Sequence, residues 1–132
     1  MNKFVKYGVA ALLGLFVLTG CTTLAIQNVE KAPVISEKKL SATQVKNIIK
    51  KSGEKIGWRF KEIAPGKMMG IINVRNKHTA AIDIKYDKNS YSINYKKSTN
   101  LKYNAENQTI HKAYNSWITN LKNAIDFELS LI

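Results

Sequence analysis

Residues 78–97 read HTAAIDIKYDKNSYSINYKK, and two runs within them alternate apolar and polar side chains. In residues 80–86, alanine, isoleucine or tyrosine occupies every second position, and residues 91–96 repeat the pattern with tyrosine and isoleucine. Alternation of this kind is typical of strands that bury one face and expose the other. Residues 87–90 between the runs are turn formers, and so short a connection requires antiparallel pairing. The stretch therefore predicts a β-hairpin.

Two more strands are predicted upstream of this hairpin, over residues 58–63 and 68–75. Residues 64–67 between them read APGK, in which proline and glycine suit the central positions of a type II turn. A second short turn, at residues 76–79, leads into the next strand. The four runs together predict an antiparallel meander.

Helical patterns flank the meander. Ser41 and Gln44 have the Ser-x-x-Gln spacing of a capping box, and Gly53 is a natural stop for the helix that begins there. From about Asn107 to the end of the chain an apolar stripe recurs at helical spacing, and Glu128 interrupts it, so the last turn is expected to leave the sheet or fray. The stripe consists of Ile110, Tyr114, Trp117, Ile118, Leu121, Ala124, Ile125 and Leu129.

The element order α-β-β-β-β-α predicts an α+β fold. We expect a two-layer sandwich, in which a four-stranded antiparallel meander packs under an N-terminal and a long C-terminal helix. Residues 41–132 would form this single small domain, which is long enough for one modest core. The sheet face turned away from the helices is expected to be polar.

Residues 1–20 have the composition of an export signal. Lys3 and Lys6 precede an apolar run, residues 9–18, that is well short of the ~20 residues a membrane-spanning helix needs. The run leads into Leu18-Thr19-Gly20-Cys21, which contains the one cysteine of the chain and resembles the lipobox of bacterial lipoproteins. The resemblance implies cleavage before Cys21 and attachment of a diacylglyceryl group, with palmitate-type chains, to its thiol.

The same resemblance implies that the protein is located in the cell envelope. If the source is Gram-negative, it implies a triacylated cysteine. Thr22 stands where an inner-membrane retention signal would have aspartate, so the outer membrane, facing the periplasm, is favoured. Residues 21–40 contain Pro33 and a charged stretch at 37–39 without sustained periodicity, so they predict a flexible lipidated tether.

Three motifs follow in the second half of the chain. They have the shapes H-x-A-x-I-x-I-x-Y at residues 78–86, Y-S-I-x-Y-x-x-S-x-N-L-x-Y at 91–103 and I-H-x-x-Y-N-x-W-I-x-N-L at 110–121. With these motifs the chain resembles a family of small, uncharacterised bacterial lipoproteins, over roughly residues 58–126. The resemblance implies an exported, lipid-anchored α+β domain, but it brings no activity, substrate or catalytic residue.

The residues needed for catalysis or metal binding are not found in a recognisable pattern. A zinc site needs three or four protein ligands, whereas the thiol is expected to be acylated and the chain has two histidines, His78 and His111. Gly-x-Ser-x-Gly and phosphate-binding glycine loops are missing, and the nine acids show no glycosidase-like pairing. We therefore predict a protein that is not an enzyme, with no catalytic residue, no metal and no cofactor.

Hydrogen-bonding and stacking side chains gather near the start of the last helix, a mixture that would suit a pocket for a small molecule or a glycan. The alternative is structural. Tyr114 and Trp117 lie on the buried stripe, Asn100 can stabilise a turn, and His111 can cap the helix. The candidate ligand-binding residues are His78, Asn100, Tyr103, His111, Tyr114 and Trp117.

The chain is strongly basic, since 21 Lys and Arg face nine Asp and Glu, and the two lysines of the signal leave 19 after cleavage. This charge favours anionic surfaces. Alternatively, the lysines only solvate the surface. Nucleic acid is not expected, because the strand tyrosines alternate into the covered face, where they cannot stack on bases. The candidate basic face consists of Arg59, Lys61, Arg75, Lys85 and Lys96.

These features favour a non-enzymatic envelope lipoprotein. It would be held in the membrane by acyl chains on Cys21, and its domain would be a binding or accessory module for an envelope protein or an anionic envelope polymer. The alternative hypothesis is a ligand- or glycan-binding domain, enzymatic or not, with a pocket near His111, Tyr114 and Trp117. A third hypothesis, a spacer with no specific ligand, remains open from the sequence.

Overall fold

The computed structural model describes residues 22–132, so the predicted export signal and Cys21 lie outside the described residues. Seven strands and two helices form the described chain. They are β1 (Thr23–Ala25), β2 (Val29–Pro33), α1 (Ala42–Glu54), β3 (Trp58–Ala64), β4 (Lys67–Val74), β5 (His78–Tyr86), β6 (Ser90–Thr99), β7 (Thr109–His111) and α2 (Lys112–Ser130).

The predicted α+β class is confirmed. The main sheet is antiparallel and has the strand order β2-β6-β5-β4-β3. It therefore has five strands, and the predicted count of four is wrong. The additional strand β2 pairs with β6, with Val29 opposite Ile93 and Pro33 opposite Ser90. Its register shifts between Val29 and Ala32, and Lys31 has a φ of 47°, so its sequence shows no simple alternation.

The N-terminal segment is held on the domain. Strand β1 pairs antiparallel with β7, and Thr23 lies opposite His111. The side chain of Asn115 bridges this segment to α2, because its Oδ1 accepts from the Gln27 N–H at 2.9 Å and its Nδ2 donates to the Ala25 carbonyl at 2.9 Å. The expectation of a flexible tether over residues 21–40 is therefore wrong for residues 23–33, which form two strands.

The predicted hairpins are confirmed. Gly66 has a φ of 80°, as the third residue of a type II turn requires, and it connects β3 to β4. In the β5–β6 turn the Asp87 carboxylate accepts from the N–H groups of Asn89 and Ser90, at 2.7 and 2.9 Å. These two backbone hydrogen bonds hold the pKa of Asp87 below its usual range.

Helix α1 begins as predicted, with a complete capping box between Ser41 and Gln44. Gly53, however, does not end it, since the helix continues to Glu54 and the chain turns at Gly57, where φ is 99°. Gly53 instead permits close packing. A Cβ at this position would lie 2.6 Å from Cε2 of Phe60 and 3.1 Å from Cδ1 of Leu121, so the missing side chain lets α1 approach both β3 and α2.

The core lies between the main sheet and the two helices. Trp58, Tyr91 and Tyr114 are its bulkiest fully buried side chains, with isoleucines from every layer around them. The expected fraying of α2 at Glu128 is wrong, because the helix runs on to Ser130. The Glu128 carboxylate pairs with Lys55 Nζ at 2.6 Å, and this contact lowers the pKa of Glu128.

Candidate functional site

The candidate site is the sheet face turned away from the helices, which we name the open face. Alternate side chains of each strand lie on opposite sides of the sheet. In β5, Ile82 and Ile84 are wholly buried in the core, whereas Asp83 and Lys85 lie on the other side. The same alternation in β3, β4 and β6 produces a broad solvent-facing surface.

The strand register aligns the open-face residues in rows across four strands. Each row begins with a basic residue, and the first two rows each contain an apolar residue of β4. The first row contains Arg59, Ile71, Ala81 and Lys97; the second contains Lys61, Met69, Asp83 and Asn94; the third contains Lys67, Lys85 and Ser92.

Basic side chains outnumber carboxylates on the open face. In the described chain, β2 to β6 contribute two open-face carboxylates, each with a polar partner. Asp83 lies 3.6 Å from Nζ of Lys96, which occupies a β-bulge of β6, and Glu30 accepts from Nδ2 of Asn94 at 2.5 Å. The basic residues of the face are Arg59, Lys61, Lys67, Lys85, Lys96 and Lys97.

An apolar patch lies within this basic surface, on β4. Ile71 is 42% exposed, Met69 is half-buried, and both belong to β4. The expectation that the open face is polar is therefore wrong for β4. The cause is visible in its sequence, because residues 68–74 read MMGIINV and place apolar side chains on both faces of the strand.

The structure places three of the five predicted basic-face residues, Arg59, Lys61 and Lys85, exposed on the open face. Lys96 shares the face through its contact with Asp83. Arg75 does not share it, since this residue lies in the β4–β5 turn with a φ of 58°. Two lysines of the face, at positions 67 and 97, were not predicted.

The predicted ligand-binding residues fall into separate groups. His78 and Asn100 belong to one, in which His78 Nδ1 lies 2.9 Å from the Asn100 carbonyl oxygen. Asn100 Nδ2 in turn donates to the Lys77 carbonyl at 2.7 Å. These bonds join the β4–β5 turn to the end of β6. His111 is the N-cap of α2, and its Nδ1 accepts from the Ala113 N–H at 3.0 Å.

Two of the aromatic candidates, Tyr103 and Tyr114, pack around Tyr95, which was not predicted as a site residue. The Tyr103 ring stacks on Tyr95 with centroids 4.4 Å apart, and Tyr114 meets it edge-on at 5.5 Å. Tyr114 is wholly buried, and burial raises the pKa of its hydroxyl. Trp117 is half-buried against the core. These aromatic side chains therefore pack at the edge of the hydrophobic core.

Replacing Tyr114 by phenylalanine is expected to leave the free energy of unfolding unchanged or slightly higher. The buried Tyr114 hydroxyl has no hydrogen-bond partner among residues 22–132, so its removal relieves a desolvation penalty of about 1 kcal/mol. Tyr95→Phe is the matched control, because the Tyr95 hydroxyl lies 2.7 Å from Ser98 Oγ, and its loss should cost about 1 kcal/mol. Urea denaturation measures both. A loss above about 1 kcal/mol for Tyr114→Phe would contradict the unpartnered hydroxyl.

Two surface grooves of the described chain are lined by residues other than the six ligand candidates. One groove of about 450 Å³ separates the start of α1 from the β3–β4 turn, and the Lys46–Glu62 ion pair crosses it. Another, of about 320 Å³, lies between residues 34–40 and the β5–β6 turn. Within residues 22–132, no three His, Cys, Asp or Glu side chains gather in a group that could hold a metal ion.

Comparison of the chain with protein-family models, with curated proteins and with solved structures found no match. Neither helix of the described chain has the length and apolar character needed to cross a bilayer.

Proposed function

We propose that this protein is a lipid-anchored, non-enzymatic envelope lipoprotein whose open face binds an anionic envelope component. The observation that carries the proposal is the excess of basic residues on one exposed sheet face, six against two carboxylates. A field of one sign concentrates partners of opposite charge and accelerates their binding.

The shape of the open face favours a macromolecular partner over a small ligand. Small ligands bind in concave, largely apolar pockets, whereas this face is a sheet surface. It carries an apolar patch, Ile71 and Met69 of β4, next to Arg59 and Lys61 of the edge strand β3. Exposed apolar side chains bordered by polar ones are typical of protein–protein contacts. An acidic envelope protein therefore fits the face better than a bare anionic polymer.

The anchor part of the proposal is supported by the lipobox-like Leu18-Thr19-Gly20-Cys21 sequence. In a Gram-negative source, Thr22 at the position of the retention aspartate favours the outer membrane, with the domain in the periplasm. A lipid-anchored protein is confined to a surface, which raises its effective concentration toward partners in the same envelope.

The test compares two triple charge reversals in cells. The open-face variant carries Arg59→Glu, Lys61→Glu and Lys85→Glu. Crosslinking and purification should recover a specific envelope partner with the wild-type protein and about tenfold less of it with this variant.

The matched control is the variant Lys38→Glu, Lys39→Glu and Lys88→Glu, which changes the net charge equally at exposed positions in loops. It should recover the partner at the wild-type level. Equal losses in both variants would show that net charge alone acts, and recovery of nothing specific by the wild-type protein would count against a binding module.

A further inference from the structure

We propose that the domain rests directly on the bilayer, with one defined end against anionic lipid headgroups. This anchor end consists of Thr23, residues 75–78, residues 97–103 and residues 111–113. The inference rests on the proposed acylation of Cys21 and adds the orientation of the domain and the lipid chemistry that it meets.

The short connection to Cys21 is the first observation. Thr23 already pairs with His111 in the β1–β7 ladder, and two peptide units separate it from Cys21. Consecutive Cα atoms lie 3.8 Å apart, so the two Cα atoms are within about 7.6 Å of each other. Asn115 and β7 hold the strand in place from Thr23 onward. An acyl group on Cys21 therefore brings this end of the fold to the membrane surface.

A chain of hydrogen bonds places the other segments beside Thr23. The His111 N–H donates to the Leu101 carbonyl at 2.8 Å, which joins the start of α2 to the segment after β6. From there the His78–Asn100 contact, at 2.9 Å, reaches the β4–β5 turn. The start of α2, the segment after β6 and the β4–β5 turn thus meet beside Thr23.

The charge of these segments is the second observation. They contain no Asp or Glu and five basic residues, of which Arg75, Lys77, Lys102 and Lys112 are all exposed and Lys97 is shared with the open face. Two acids are near these segments in the sequence: Glu54 ends α1, four residues before the edge strand β3, and Glu106 is exposed in the turn that follows Tyr103. Basic side chains within a Debye length of a bilayer are attracted to anionic lipids.

The orientation follows from the strand directions. Strand β5 starts at the anchor end with His78 and runs nine residues to Tyr86, which at about 3.4 Å per residue places Tyr86 up to roughly 27 Å further from the lipid. The strands then stand upright on the membrane. The open face remains free at the side, where a partner in the envelope can reach it.

The experiment uses the acylated full-length chain with one added cysteine, since acylation occupies Cys21. Lys102→Cys and Lys77→Cys place a thiol at the anchor end, and Lys88→Cys places the matched control in the β5–β6 turn. Each purified protein is labelled with a fluorophore and reconstituted into phosphatidylcholine vesicles that contain phosphatidylglycerol. Headgroup spin-labelled lipid should quench the first two labels several-fold more strongly than the third.

The orientation of the domain and the lipid anchor are tested by different outcomes. Quenching that is equal at all three positions, or strongest at position 88, in protein that floats with the vesicles overturns the orientation and leaves the anchor intact. Protein that is not acylated and does not float with the vesicles overturns the anchor, and the orientation falls with it. Thermal unfolding followed by circular dichroism shows that each variant is folded, and the two anchor-end variants check each other.

Discussion

Cys21→Ser is expected to move the entire protein from the membrane fraction to the soluble fraction and to abolish labelling by radioactive palmitate. Serine cannot form the thioether to diacylglycerol, so the acyl chains are lost. Each buried methylene contributes about 0.8 kcal/mol, and the two or three chains of a lipoprotein cysteine together give durable anchoring where one chain binds reversibly. The measurement is fractionation of cells grown with labelled fatty acid.

The control for this prediction is Thr22→Ser, a conservative change next to the cysteine that leaves the thiol in place. It should keep both the membrane location and the label. A Cys21→Ser protein that remains in the membrane fraction and still incorporates palmitate would contradict the lipid anchor. It would also contradict the proposed envelope location.

Ile82→Ala should lower the free energy of unfolding by about 2–5 kcal/mol, whereas Ile71→Ala should cost less than about 1 kcal/mol. The two isoleucines lie on adjacent strands but on opposite faces of the sheet. Ile82 is wholly buried beneath the helices, and Ile71 is 42% exposed on the open face. Truncation of Ile82 leaves a cavity in a close-packed core, and truncation of Ile71 mainly changes surface exposed to water.

Urea denaturation of the two variants gives the comparison directly, because the side chain removed is the same. Equal large losses would mean that the open face is covered in the isolated protein, which would contradict its role as a binding surface. A small loss for Ile82→Ala would contradict the position of the core.

The elements that the sequence predicts correctly are those whose signals are local. The capping box at Ser41 needs a partner three residues away, and the β3–β4 hairpin needs the proline and glycine of its own turn. Strand β2 has no such signal. Its bulge and the positive φ of Lys31 remove the alternation, and its stabilising partner β6 lies some sixty residues away in the sequence.

The candidate site is predictable to a similar degree. Alternation in β3 and β5 assigns Arg59, Lys61 and Lys85 correctly to one face of the sheet. Lys97 was not predicted as an open-face residue, because the bulge opposite Ile82 shifts the register of β6 by one residue. The apolar patch at Ile71 was not predicted either, because β4 is apolar on both faces and its sequence does not show which face the helices cover.

The aromatic candidate residues show that residue types alone do not predict a ligand pocket. Tyr103 and Tyr114 have the residue types of a ligand pocket, but Tyr95 brings them together as packed rings. His111 likewise has the residue type of a metal ligand or general base, yet its Nδ1 accepts a backbone hydrogen bond at a helix start. The sequence shows which functional groups are present, but only the fold shows which neighbours they contact.

Both margins of the five-stranded sheet carry features that oppose chain-to-chain polymerisation. One margin is β3, whose exposed arginine and lysine make it costly to add another strand, and the other is the short β2 with its bulge and Pro33. Molecules crowded in two dimensions on a membrane collide far more often than molecules in free solution. This domain can therefore be packed densely on a surface without growing into fibrils.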